Sequence, residues 1–158
     1  MTTIKLVSYL VFLFLLAIWL GAAFHDTYST NATWYKNPLT HIKHINNYPI
    51  PGALNPWPLS TALLTLSTIS CFILFLNYNG PGKRYAQVAM VGTLAILIST
   101  FLYFVPGLIR MFGKTSSYTD GQLITMSHQW VILNVIRLVL LMVLFITGLV
   151  GLAKFYKH

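Results

Sequence analysis

The sequence predicts an all-α fold, a polytopic membrane four-helix bundle with a long ordered loop between helices 1 and 2. Three observations carry that expectation. First, 56% of the 158 residues are hydrophobic and only 8% are charged, at a mean hydropathy of +0.70, whereas about a quarter of an average soluble domain is charged. Second, four apolar runs are each long enough for a helix to cross a hydrocarbon core of about 30 Å. Third, none of those runs alternates polar and apolar residues, and backbone groups in lipid must be satisfied within the segment, so helices are favoured over a β-barrel.

Taken in order, the runs are Leu6 to Phe24, Leu59 to Tyr78, Tyr85 to Ile109 and Trp130 to Ala153, and Arg137 is the one charge inside them. They set helices at approximately 4–26, 58–79, 84–110 and 126–156 within a single transmembrane domain spanning 1–158. Lys5 followed by an apolar stretch ending in Gly21-Ala22-Ala23 also has the outline of a secretory signal, but the stretch is taken here as the first span. The linker from His25 to Pro58 is rich in Asn, Pro and aromatic residues rather than charge, which predicts an ordered cap. Asn79-Gly80-Pro81-Gly82 makes a tight turn between the second and third spans. The third and fourth are joined by a shorter segment containing Asp120.

Charge narrows the classes further. With ten Lys and Arg against two acids, the net charge is +8, but the basic residues are scattered, so anionic lipid is a better counter-charge than nucleic acid. An even number of spans puts both termini on one side with Lys5, Lys83, Arg84, Lys154 and Lys157. Lys36, Lys43, Arg110 and Lys114 lie on the other, and the positive-inside rule therefore places the termini in the cytoplasm. Cys71 sits among apolar residues and packs as a small core side chain.

The chemically capable residues gather on one face. His25, His41, His44, His128, Asp26, Asp120, Trp34, Trp57 and Trp130 all fall in loops or helix ends of the outer mouth, with Trp19 just below. Gly21 and Ala22, with Ile18 a turn deeper, share the stripe of His25, which would aim that imidazole into the bundle mouth. His41-Ile42-Lys43-His44 places two imidazoles three residues apart. Together with His25 and His128 they form a donor set suited to copper, iron or zinc. Each histidine taken alone reads equally well as an interfacial side chain bonded to a carbonyl.

Arg137 is costly inside a membrane helix and should face the bundle interior, beside Trp130 and Asn134 on the same face. Its candidate partners are Asp26 or Asp120 reaching down, a carbonyl, a ligand, or hydroxyls among Thr61, Thr65, Thr68, Thr93, Thr100 and Tyr103. His128 lies nine residues before Arg137 and can join it only if the last helix begins after His128.

Trp130-Val-Ile-Leu-Asn134-Val-Ile-Arg137 resembles the W-x-x-x-[NH]-x-x-R signature in the last helix of the anthrone oxygenase-like family of small four-helix membrane proteins. Gly21-Ala-Ala-Phe24, Trp34-Tyr-Lys-Asn-Pro38, Pro51-Gly-Ala-Leu-Asn-Pro56 and Val105-Pro106-Gly-Leu-Ile-Arg110 follow in the family's order. The resemblance implies oxygen-dependent oxidation of an apolar aromatic substrate. It carries over Trp130, Asn134 and Arg137 as the site core, and the His41-x-x-His44 pair has no place in the family pattern. An enzyme built on that core would use His25 or His128 as its base, since an imidazole exchanges protons near neutral pH, with Asp26 also at the site. The alternative is a non-enzymatic membrane module that binds a lipid, quinone or partner subunit. Either form could assemble with further copies of itself.

Overall fold

A computed structural model describes residues 2–40, 42, 57–113 and 117–156. Its helices are α1 (Thr3–Asp26), α2 (Ala32–Lys36), α3 (Trp57–Phe75), α4 (Lys83–Ser99), α5 (Val105–Gly113) and α6 (Asp120–Tyr156). Two π-helical turns, Thr27–Asn31 and Thr100–Phe104, join α1 to α2 and α4 to α5 without breaking the rod. Four continuous helical rods result, 3–36, 57–75, 83–113 and 120–156, each long and apolar enough to cross a membrane. No strand occurs among the described residues. The chain is an integral membrane four-helix bundle.

The buried positions repeat at helical spacing. In α3 they are Thr61, Leu64, Thr68, Cys71 and Phe75, and in α6 they include Val131, Asn134, Leu138, Leu141, Gly148 and Gly151. Steps of three and four residues keep one stripe turned inward while the remaining faces meet lipid. Large apolar side chains such as Phe14, Leu66, Ile98 and Ile146 are accordingly exposed at 57% or more. The rods pack in a closed ring, α1 on α3, α3 on α4, α4 on α6 and α6 back on α1.

Between hydrocarbon-like surfaces packing must come from close approach rather than from expulsion of water. Gly148 meets Leu13, and Gly151 lies against the backbone of Ala86, where added methyl groups would fall 2.6 Å and 3.3 Å from their neighbours. Tyr9 crosses this seam and donates to the Gly148 carbonyl at 2.9 Å. Tyr9→Phe should keep the rings around Phe75 and Phe155 and lose about 0.6 kcal/mol, read as a small drop in midpoint during unfolding in detergent.

Two expected boundaries move. The first helix does not end near residue 26 but continues through the π turn to Lys36, so residues 27–36 of the expected loop are helical. The last helix starts at Asp120, six residues before the expected 126, and its 37 residues rise roughly 55 Å, well beyond a hydrocarbon core of about 30 Å. Both extensions, with α5, stand above the mouth opposite the termini. There Trp34, Ile42, Met111, Leu123 and Val131 form a second small core, separate from the main one. That extra contact explains the extensions, because helix ends too polar for lipid still gain an apolar neighbour.

Candidate functional site

One residue of register decides which side chains reach the mouth of the bundle. Successive helical positions turn by about 100°, so the inward stripe of α1 is Trp19, Ala23 and Asp26, and its neighbour Ile18, Gly21 and His25 faces outward. Nothing lies within 4 Å of a methyl group placed on Gly21. The expectation that small residues aim His25 into the bundle is corrected by this register. His25 is 79% exposed, with Nδ1 3.9 Å from Asp26 Oδ1 on the outer side of that carboxylate.

Asp26 points into a cavity of about 620 Å³ walled by all four rods, among them Trp19, Trp57, Thr100, Phe104, Trp130 and Arg137. Its carboxylate accepts from the Trp57 indole N–H. Trp19 donates to Thr61 Oγ1 at 3.2 Å and stands edge-on to Trp57, with ring centroids 5.7 Å apart. Trp130 donates to the Phe104 carbonyl at 3.4 Å and passes over Gly107, where an added methyl group would meet the indole at an ordinary 3.5 Å. These bonds fix three indoles around the cavity at the end of the spans opposite the termini.

Arg137 projects from α6 into the same space. Its guanidinium carbon is 4.2 Å from the Phe104 ring centroid and 5.4 Å from that of Trp19, so aromatic faces supply part of the attraction that water would otherwise give. Nη1 donates to Thr100 Oγ1 at 3.4 Å, while Nε is buried with no hydrogen-bond partner among the described residues. No carboxylate oxygen of those residues comes within 4 Å, though Asp26 is close enough for the two charges to act on each other. Of the hydroxyls the sequence offered, Thr100 is the one that reaches Arg137. Thr68 and Thr93 bond their own helix carbonyls at Leu64 and Ala89. Tyr103 is 46% exposed, and Asp120 lies at the far start of α6.

Thr100 arrives through the π turn. An i to i+5 bonding pattern accommodates an extra residue and shifts the face that follows, a device common at functional positions. Here it turns Thr100, Phe101 and Phe104 toward the cavity. Sequence reading had no signal for this turn beyond the hydroxyl itself.

The other sequence candidates divide. Asn134 is buried one turn from Arg137, with Oδ1 lacking a partner among the described residues. Because α6 begins at Asp120, His128 lies inside the helix and points nearly opposite to Arg137. Its Nε2 is 3.0 Å from the Tyr35 carbonyl and its ring stacks on Tyr35 at 4.4 Å. The condition for His128 to act with Arg137 is therefore not met. His41 and His44 lie outside the described residues, and no group of three or more His, Cys, Asp and Glu gathers among those described. Trp34 packs against Trp130, with ring centroids 4.7 Å apart and planes tilted by 48°.

Fold and site together define a multi-pass membrane bundle with an arginine held among aromatic rings at one mouth. No family profile, curated protein or solved structure matches the chain.

Proposed function

We propose that this mouth binds an apolar aromatic molecule through a ketone or phenolate oxygen placed on Arg137, and that the protein is an oxygen-dependent oxidoreductase of the anthrone oxygenase-like kind. The observation that carries the reading is the cavity shared by Arg137, Asp26 and three tryptophans. Its volume lies in the usual range for small-molecule sites, about 300–1,000 Å³, and its lining is mainly aromatic with few polar groups. The Nε of Arg137 is a buried donor without an acceptor among the described residues, and in a mainly apolar lining such a donor acts strongly on an oxygen acquiring charge.

In this reading a tricyclic phenolic ketone slides between Phe101 and Trp57 with its carbonyl at Arg137. Asp26 takes a proton from the ring methylene, and the C–H electron pair moves into an enolate whose oxygen Arg137 stabilises. Dioxygen then accepts two electrons at that carbon, forming a hydroperoxide, which loses water to leave a second carbonyl. One oxygen atom enters the product and the other leaves as water. The proton held by Asp26, beside the solvent-facing His25, returns to the peroxide oxygen to make that hydroperoxide, so the cycle releases no net proton. Asp26→Asn should lower turnover by about 100-fold or more while substrate still quenches tryptophan fluorescence, because the base is lost and the cavity is kept.

A second reading, a non-catalytic site for a quinone or lipid, is favoured by the lipid-facing wall of Phe101, Val105 and Ile109, exposed at 56%, 39% and 63%. Anthrone supplied to purified protein in air separates the two. Formation of anthraquinone absorbance above the protein-free rate supports the enzyme, and saturable quenching without product supports the module. We also propose cytoplasmic termini, on the small excess of basic residues at that end. A thiol-reactive, membrane-impermeant reagent should label Asn79→Cys only after the cells are opened, in a Cys71→Ser background; labelling in intact cells reverses the orientation.

A further inference from the structure

We propose that the recess at the turn between α3 and α4 is a binding site for the phosphate of an anionic phospholipid. The recess has a volume of about 540 Å³ and is bounded by Gly80, Gly82, Lys83, Arg84 and Tyr85 from the turn and by Lys154 from α6. Three cations thus converge on one opening. The whole chain contains two acids, Asp26 and Asp120, and both belong to the opposite mouth. Among the described residues these cations have no side-chain counter-charge at this end of the molecule.

Neutral partners hold two of them in place. Lys83 Nζ donates to Asn79 Oδ1 at 2.9 Å, and Lys154 Nζ lies 4.7 Å from the Tyr85 ring centroid. Both contacts position an ammonium without neutralising it. A fourth cation, Lys5, sits over the Tyr78 ring at 5.6 Å, at the back of the same turn.

What lies beneath favours a lipid over a free anion. Tyr85 and Val88 on α4, and Val150 and Val143 on the Lys154 stripe of α6, are exposed apolar surface leading from the recess toward the middle of the bilayer. A headgroup phosphate in the recess would lay its acyl chains along these side chains. Basic pockets between membrane helices hold acidic headgroups by this combination of charge and apolar contact, at about fivefold in affinity per cation.

The test uses full-length protein in mild detergent with phosphatidylglycerol, phosphatidylcholine of the same chains, or inorganic phosphate. Phosphatidylglycerol should raise the unfolding temperature more than the other two and remain bound in native mass spectra. Arg84→Gln with Lys154→Gln should weaken that binding about 25-fold, while Lys36→Gln with Arg110→Gln at the other end should leave it unchanged. Should the double variant fail to fold, Lys154→Gln alone should show about a fivefold loss in the retained lipid. Equal preference for phosphatidylglycerol in wild type and variant overturns the proposal. So does stabilisation by inorganic phosphate equal to that by the lipid, which would mean a free-anion site.

Discussion

Arg137→Met should lower turnover about 100- to 1,000-fold and leave the protein as stable as before, or more stable. The two halves of that expectation have different causes. Loss of activity follows from removing the one cation in the cavity, since a donor aimed at a developing oxyanion in a dry site is worth roughly two to three powers of ten. Retained stability follows from what Arg137 lacks. Among the described residues its guanidinium has one long hydrogen bond, to Thr100, a partnerless Nε and no carboxylate within 4 Å. Replacing a poorly compensated buried charge with an apolar side chain of similar length is often neutral or favourable by about 1 kcal/mol or more. Methionine also retains contact with Phe104 and Trp19. A variant that unfolds at markedly lower temperature would identify Arg137 as a pin between helices instead of a binding group, and a folded variant with full turnover would remove it from the mechanism.

Gly82→Val should cause the largest loss of stability of any single change at the opposite end. Gly82 has φ of +81°, a left-handed conformation that a β-branched residue adopts only with strain of about 1–2 kcal/mol. Space is also lacking, because a methyl group there would lie 2.6 Å from the Gly151 carbonyl oxygen and 2.7 Å from the Phe155 ring. The first neighbour is backbone and cannot rotate away, so α4 and α6 must separate where Gly151 and Ala86 meet, at a further cost of about 1–3 kcal/mol. A fall of about 10 °C or more in the unfolding midpoint is expected, set against little change for Gly21→Val, which has open space around it. Equal effects at the two glycines would mean that the turn does not hold these helices together.

Much of the architecture was legible because hydropathy over about 20 residues measures the bilayer directly. The four spans and the sorting of acids and indoles to one mouth follow from that, and Arg137 stands out because nothing else in the spans is charged. Periodicity was less reliable near helix ends. Gly21 and Ala22 suggested a close-packed stripe leading to His25, but small residues face lipid as readily as they face another helix, and the bulky Trp19 and Asp26 stripe turned inward. The expected boundaries at residues 26 and 126 failed for another reason. Both helices run on so that Trp34 and Leu123 are buried in one cluster with Ile42 and Met111, a gain that local composition does not register.

From its residues alone this chain is bound to be a multi-pass helical membrane protein with one costly cation near the mouth opposite its termini, because transfer of side chains between water and lipid is a local property summed along a segment. Which partners that cation meets was settled only by the packed bundle. The π turn that delivers Thr100, the register that brings Asp26 in and turns His25 out, and the unbroken α6 that carries His128 away from Arg137 each depend on how four rods fit together. A rotation of about 100° per residue makes such choices sensitive to a single position.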